Sequence, residues 1–489
     1  MKLHDYIYLL ILSIVTLYIW YPLTSLVLQW ESYTYLNWQA YHYIFSSTWV
    51  SLANFDVQSM LTGAILANLF GLNMSPYFWV EIVSILVINI CVYFLVKTLT
   101  NNSLTAFFAS FIFAVYFFGI GFFVPNYYAT FLQRVILNVP LLLVSFLFLH
   151  RFLAEKKAKH YGYSILLFFV SILLAHFGIF LTIPILLYPI FTEITRKLSF
   201  RSFFRGLFIS SPYAVSVLFF LLIQKLWGEQ FGPKQNILNF FNFLTHTEVY
   251  LDGIARQLVY MSQYPTVIDA LKSGYYPLAF SDPISTYKFV YPILLTYVIA
   301  FLVVWIKGKK YRALLLTVVS GLIIGLLSNI YLGRFDVLHD AGANRYYYYP
   351  SFWWAIFWSL VLTVIRNKKA TIIAGSIVLG YFFINAALFR FYFSDVKRNS
   401  VPTIKLSEYI VRNYHRLPPD SLVIVGPSAY FGPYETTFFT EQIGQKKNIL
   451  FRTEDVSYGD WRTLASTSAH LVTLTYDKSC ACVKEESPR

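Results

Sequence analysis

Between Lys2 and Lys97 the sequence contains no lysine and no arginine. Cations collect on the cytoplasmic flanks of membrane spans, so a segment this long without them is expected to face away from the cytoplasm wherever it leaves the bilayer. Charge is scarce throughout, at 13% of residues against 57% hydrophobic and 20% aromatic, which excludes an ordinary soluble chain. Cysteine is scarce too, and three residues give no disulfide framework. Cys91 falls inside an apolar run, while Cys480-Ala-Cys482 is close to the end and reads as an incidental tail pair, although such a pair could oxidise or bind metal. There is no internal repeat, no low-complexity tract and no glycine-rich phosphate loop.

What the sequence does contain is a series of long apolar runs, with a mean hydropathy of +0.57. Helices alone satisfy their own backbone groups in lipid, so the fold class expected is an all-α polytopic membrane protein. The net charge of +14 resembles a nucleic-acid signal, but much of it sits in short turns where it orients spans, and no nucleic-acid partner is expected. The first run, 6–28, is too long for a signal-peptide core and ends in bulky residues, so it reads as a signal anchor.

Apolar length and loop charge together thread the chain. Spans are expected at 6–28, 76–96, 103–123 and 134–153, the last reaching Arg151, Lys156, Lys157 and Lys159. The next run, 161–191, lies between that basic loop and a second one, Arg196, Lys197, Arg201 and Arg205. Two successive basic loops require an even number of crossings, so this run must be two short helices broken near Ala175-His176-Phe177-Gly178. Each half is shorter than the roughly 20 residues of a full span, which implies local thinning or burial. Further spans at 207–226, 289–306, 313–332, 351–365 and 371–389 bring the total to about eleven, with the N-terminus inside and the C-terminus outside. The expected organisation is a transmembrane module, 1–393, with outer loops 29–75, 227–287 and 333–350, and an extracytoplasmic appendage, 394–489. A helix-like stretch at 403–414 and the β-rich run 421–426 give that appendage an α/β character.

The inner loops are short and basic, leaving little room for a nucleotide or nucleotide-sugar. The outer face carries Glu31, Asp56, Glu81, Arg134, His176, Lys225, the loop Arg334-Phe-Asp336-Val-Leu-His339-Asp340, and Arg345 before Tyr346 to Tyr349. Ionisable groups at membrane depth are functional candidates by default. Each also has an ordinary reading. Arg134, Lys225 and Arg390 fit helix-end snorkelling, and His176 fits a packed turn. Asp336, His339 and Asp340 are metal-ligand types that a solvated loop explains equally, so a divalent metal is possible but not indicated. The tyrosines fit the membrane interface. Glu31 is the only charge among the aromatics around it, directly after the first span, and is the leading candidate.

This layout is similar to the integral-membrane glycosyltransferases of the GT-C superfamily, in particular the bacterial branch related to protein O-mannosyltransferases and lipid A aminoarabinose transferase. The resemblance covers roughly 1–393. It rests on Trp30-Glu31-Ser32-Tyr33 after span one, the interfacial stretch 56–73, the broken hairpin around His176, and Arg345-Tyr-Tyr-Tyr-Tyr-Pro-Ser351 leading into a late span. Those enzymes usually carry Asp, often paired with a second acid, where this chain has a lone Glu31 followed by Ser32. The resemblance implies transfer of a sugar from a polyprenyl-phosphate donor to a glycan, lipid or protein acceptor on the outer face of a bacterial plasma membrane. Glu31 would act as general base, since an ordinary glutamate (pKa about 4.3) is ionised at neutral pH. Arg134, Lys225, Arg334 and Arg345 are the cations at the right depth to stabilise the departing phosphate, with His176 and Tyr346 alongside them in the substrate site. Three other readings remain open: a transporter or flippase for a lipid-linked sugar, an O-antigen ligase or polymerase, and a non-catalytic relative.

Overall fold

In the computed structural model, the described residues are 2–25, 75–115, 137–174, 179–227, 283–331, 348–365, 368–426, 447–453 and 470–486, with isolated positions between 65 and 73, 253 and 261, and 436 and 440. They hold eleven long helices: α1 Leu3–Trp20, α2 Ser75–Thr100, α3 Ser103–Val115, α4 Asn138–Glu155, α5 Ala158–Leu174, α6 Ile179–Arg196, α7 Phe200–Trp227, α8 Pro283–Lys307, α9 Arg312–Tyr331, α10 Tyr348–Val364 and α11 Lys368–Asn413. Five stretches are long and apolar enough to cross a membrane by length and composition: Leu3–Thr24, Ser75–Thr100, Asn138–Glu155, Phe200–Phe220 and Lys309–Leu327. The structure is thus a mostly helical one with a small C-terminal sheet.

Side-chain bonds between helices fix their relative directions. Asn89 donates to the Thr16 hydroxyl at 3.2 Å while Tyr93 and Lys97 reach Asp5 at 2.6 and 2.7 Å, so α1 and α2 are antiparallel. Ser145 and Ser164 each donate to the other's carbonyl at 2.7 Å, and Ser171 donates to the Asn138 carbonyl at 2.8 Å, making α4 and α5 an antiparallel pair. Serines let two backbones approach where a larger residue would hold them apart. Tyr161 reaches the Ile209 carbonyl and Tyr213 reaches Ser164, both at 2.7 Å, so α5 and α7 run parallel. Ser210 donates to the Leu186 carbonyl at 2.6 Å, and a Cβ on Gly206 would lie 2.6 Å from the Ile190 Cα, so α6 and α7 are antiparallel.

The run 161–191 therefore holds two helices of opposite direction, α5 and α6, with 175–178 between them. Both pack against α7, α5 also against α4 and α6 also against α9.

These directions gather the basic turns at one end of the bundle. Lys97 lies against the start of α1, Thr105 meets Thr363 at 2.5 Å, and Tyr311 reaches the Thr100 carbonyl at 3.5 Å. The turns after α4 and α6 meet through Glu193, Lys156 and Arg196. Trp353, Phe146 and Tyr188 join both groups in one layer (ring centroids 6.4 and 4.9 Å apart), each about two to three turns from its own helix's basic end. At the other end lie the last turn of α1 and the first turns of α2, α4 and α10, where the longest sequence insertions attach.

Gly321 and Gly325 of α9 admit α10. A Cβ on Gly321 would meet the Trp353 ring at 2.6 Å and one on Gly325 would meet Pro350 at 2.9 Å. Trp353 is almost fully buried and its indole has no room to retreat. Gly321→Ala is expected to destabilise the protein by about 1–3 kcal/mol, measured by thermal or denaturant unfolding in detergent. Unchanged stability would show that the α9–α10 contact is loose.

α11 is a single helix of 46 residues with Pro402 inside it. It runs unbroken through the boundary expected at 393/394, so the junction between transmembrane module and appendage is helical. Its direction follows from Trp20, whose ring meets Phe389 at 4.5 Å and Phe393 at 6.2 Å, and Tyr18, which meets Phe382 at 6.5 Å. It runs parallel to α1 and leaves at the end opposite the basic turns. There, Leu406 and Ile410 pack with Val423, Val425, Phe451, Val472 and Leu474 of a sheet ordered β2-β1-β3-β4. The strands are β1 Ser421–Val425, β2 Leu450–Thr453, β3 His470–Asp477 and β4 Cys482–Glu486. β1 pairs in parallel with β2 and β3 and is buried along its whole length, while β4 closes an antiparallel hairpin. Cys480 and Cys482 are joined by a disulfide across that hairpin turn, which corrects the reading of them as an incidental pair.

Candidate functional site

Most of the residues singled out from sequence fall outside the described residues: Glu31, Arg134, His176, Arg334, Arg345 and Tyr346 do so entirely. Lys225 belongs to the last turn of α7, at the end of the bundle opposite the basic turns, and nothing beyond its helical backbone is described. The described residues are the helix ends from which the segments carrying these residues depart.

Two of these helix ends are well defined. The chain leaves α1 through a short 3₁₀ turn, Tyr21–Ser25, in which Thr24 donates to the Tyr21 carbonyl at 2.8 Å. Trp20 and Leu23 are buried and anchor the turn, while Tyr21 meets the Trp79 ring at 6.0 Å. The segment carrying Glu31 thus starts from a fixed point beside the first turns of α2. Just before α2, the hydroxyl of Tyr77 donates to the Gly71 carbonyl at 2.8 Å, and Phe70 packs edge-on against the same ring. Gly71 itself has φ +53°, a left-handed conformation that glycine adopts without strain. These contacts tie the interfacial stretch to the span that follows it.

Glu81 sits two turns into α2 at this end and is only 3% exposed. Neither of its carboxylate oxygens has a hydrogen-bond partner among the described residues. Burial of an unpaired carboxylate is among the most costly arrangements a fold can hold, and an acid at membrane depth is a functional candidate by default. The sequence placed Glu81 near the outer end of this span, and its burial emerges from the fold.

A second feature differs from the expectation drawn from the sequence. The insertion 227–287, expected to be an outer loop, returns to the bundle: Ala255, Leu258 and Met261 are buried, and Gln257 donates to the Leu326 carbonyl of α9 at 3.1 Å. The spacing of Ile254, Leu258 and Met261, one helical face, was the available signal. Among the described residues no cluster of three or more His, Cys, Asp or Glu could hold a metal ion, and Asp336, His339 and Asp340 lie outside them.

The comparisons with known proteins follow the same line. Residues 59–229 match the family model described as dolichyl-phosphate-mannose-protein mannosyltransferase, a stretch that includes α2 to α7 and is less than half of the chain. The resemblance to GT-C integral-membrane glycosyltransferases therefore holds over this stretch. No curated protein matches the sequence. Two solved structures resemble the fold at a TM-score of 0.46 each. One is the archaeal oligosaccharyltransferase AglB from Archaeoglobus fulgidus, in complex with an inhibitory peptide and a dolichol-phosphate, at 12% identity over 97% of this chain and 69% of that one. The other is ArnT from Cupriavidus metallidurans bound to undecaprenyl phosphate, at 11% identity over 96% of this chain and 93% of that one.

Proposed function

We propose, from the family match over 59–229, that this integral membrane protein transfers a sugar from a polyprenyl-phosphate donor to an acceptor at the face opposite its basic turns. The observation that carries the proposal is that match, and the segregation of the basic turns at one end supports the sidedness. By the charge rule the basic end is cytoplasmic, so the working face and the appendage are extracytoplasmic.

In the reaction, a hydroxyl or amine of the acceptor attacks the anomeric carbon, the bond from that carbon to the lipid phosphate oxygen breaks, and the acceptor's proton passes to the Glu31 carboxylate. The lipid phosphate leaves with the bonding pair. Arg134, Lys225, Arg334 and Arg345 are the cations proposed to stabilise its charge, because charge-assisted hydrogen bonds to a leaving oxyanion strengthen as that charge develops.

Purified protein incubated with a panel of radiolabelled polyprenyl-phosphate sugars should release polyprenyl phosphate and label one acceptor class. Absence of transfer from every donor, with folded protein, would leave the proposal without its reaction. Sidedness has its own test. Thiols introduced at Asn37 and Ser457 should react with an impermeant reagent from outside intact cells, and one at Lys309 only after permeabilisation. External labelling at Lys309 would invert the assignment of faces.

A further inference from the structure

Glu193, near the end of α6, is 6% exposed and lies among three cations from three segments: Lys156 at 3.8 Å, Arg196 at 3.5 Å and Arg205 at 4.0 Å. The positions are set by backbone. Lys156 caps α4 in the left-handed conformation (φ 57°), where the chain turns out of the helix. Arg196 also donates to the Leu153 carbonyl at 3.4 Å. Arg205 is brought in by Gly206, whose missing side chain lets α7 touch the α6 backbone.

One carboxylate cannot satisfy this group. Each guanidinium has five N–H donors and the ammonium three, and Glu193 meets them near the outer limit of ion-pair distance. Over 151–205 there are eight lysines and arginines and only two acids, Glu155 and Glu193, and Glu155 is engaged by Lys157 and His160. The three side chains stay 43% to 62% exposed. Partial burial, opposed by Glu193 and reinforced by Arg196 and Arg205, pulls the Lys156 ammonium below its ordinary pKa, consistent with surplus positive charge.

Orientation of spans does not account for this geometry. The charge rule needs only net positive loops, and a buried acid at their centre lowers that charge and carries a desolvation cost. What Glu193 adds is convergence: it holds three donors from separate segments around one point. Beside them Leu198, Phe200 and Phe208 are 89%, 78% and 78% exposed, and Phe204 stacks edge-on against Phe200 at 4.6 Å. Positions 200, 204 and 208 form one stripe along α7 that starts next to the cations and continues into the span.

We propose that this cluster is a binding site for an anionic glycerophospholipid, its phosphodiester held by Lys156, Arg196 and Arg205 and its acyl chains lying along Phe200, Phe204 and Phe208. Phosphate suits the donors because guanidinium forks pair with its oxygens two at a time. The apolar stripe selects a lipid over a free anion. Basic pockets between helices on the cytoplasmic side of a membrane are suited to such headgroups. The site lies at the opposite end from the proposed transfer reaction and does not depend on it.

The test uses full-length protein in a neutral detergent and follows its thermal unfolding and native mass spectrum. Phosphatidylglycerol should raise Tm and appear as a retained adduct, whereas phosphatidylcholine and inorganic phosphate should not. Arg196→Gln with Arg205→Gln should weaken the phosphatidylglycerol response about tenfold or more, since each removes a charge-assisted contact. Should that pair fail to fold, Glu193→Gln with Arg205→Gln removes one charge of each sign and should still weaken it. Glu193→Gln alone should also weaken it, because the three donors lose the carboxylate that gathers them. Equal stabilisation by phosphatidylcholine, an equal effect of inorganic phosphate, or undiminished binding in the arginine variants would overturn the assignment.

Discussion

Glu31→Gln is expected to lower turnover about a hundredfold or more with donor binding largely kept. The substitution keeps size and hydrogen-bonding capacity and removes the ability to accept a proton, which the proposed reaction requires as the acceptor attacks. Loss should therefore appear in kcat rather than in KM. Glu31→Asp should keep partial activity, because it restores the acid usual in the resembling enzymes at a reach one methylene shorter. Arg345→Ala should instead weaken use of the donor lipid, through lost contact with its phosphate. If Glu31→Gln inserts normally and turns over like wild type, Glu31 has no part in proton transfer, and Glu81, buried in the first turns of α2, becomes the next carboxylate to substitute.

The largest effect on stability is expected at Lys97. Asp5 is fully buried at the start of α1 and accepts hydrogen bonds from Lys97 at 2.7 Å, Tyr93 at 2.6 Å, Ser103 at 2.7 Å and the Lys2 backbone at 2.8 Å. One carboxylate thus joins the first three helices. Removing a single partner of a buried ion pair leaves the other charge uncompensated, and Lys97→Met should cost about 3–5 kcal/mol. Adding Asp5→Asn should recover much of that loss, because the stranded charge is then gone. Unfolding of the four proteins of this cycle in mixed micelles measures the coupling, and additive effects would show that the pair contributes no net interaction.

Parity of basic loops predicted two helices in 161–191, and the structure contains α5 and α6 with opposite directions. The strand expected from 421 is β1. In both cases the signal is local: charge at fixed sites, or a short β-branched run. What was missed depends on partners distant in sequence. The role of Asp5 depends on Lys97, Tyr93 and Ser103, which are about ninety residues away in sequence and meet it only in the fold. The burial of Gln257 and Met261 needed α9 beside them. The expected boundary at 393/394 followed a change in composition, but a helix needs backbone hydrogen bonds and not apolar side chains, so α11 continues through it. Glu31, Arg134, His176, Arg334, Arg345 and Tyr346 lie outside the described residues, and Lys225 contributes only a backbone position, so the residues of the proposed site rest on sequence alone.

The unbroken course of α11 makes it a transmission shaft. At 1.5 Å per residue its 46 residues extend roughly 70 Å, more than twice the hydrocarbon thickness of about 30 Å. The sheet is clamped to its far end by Leu406 and Ile410, and Tyr409 donates to Glu485 of β4. The near part is keyed to α1 through Trp20, Phe389 and Phe393. Height and compass bearing of the appendage are thereby linked to one count of residues. One residue inserted between Phe393 and Pro402 swings the sheet by about 100° while raising it only about 1.5 Å, whereas seven return it nearly to its original bearing about 10 Å higher. Length in this stretch is therefore an angular setting, and the appendage's aim over the bundle tolerates whole pairs of turns better than single residues.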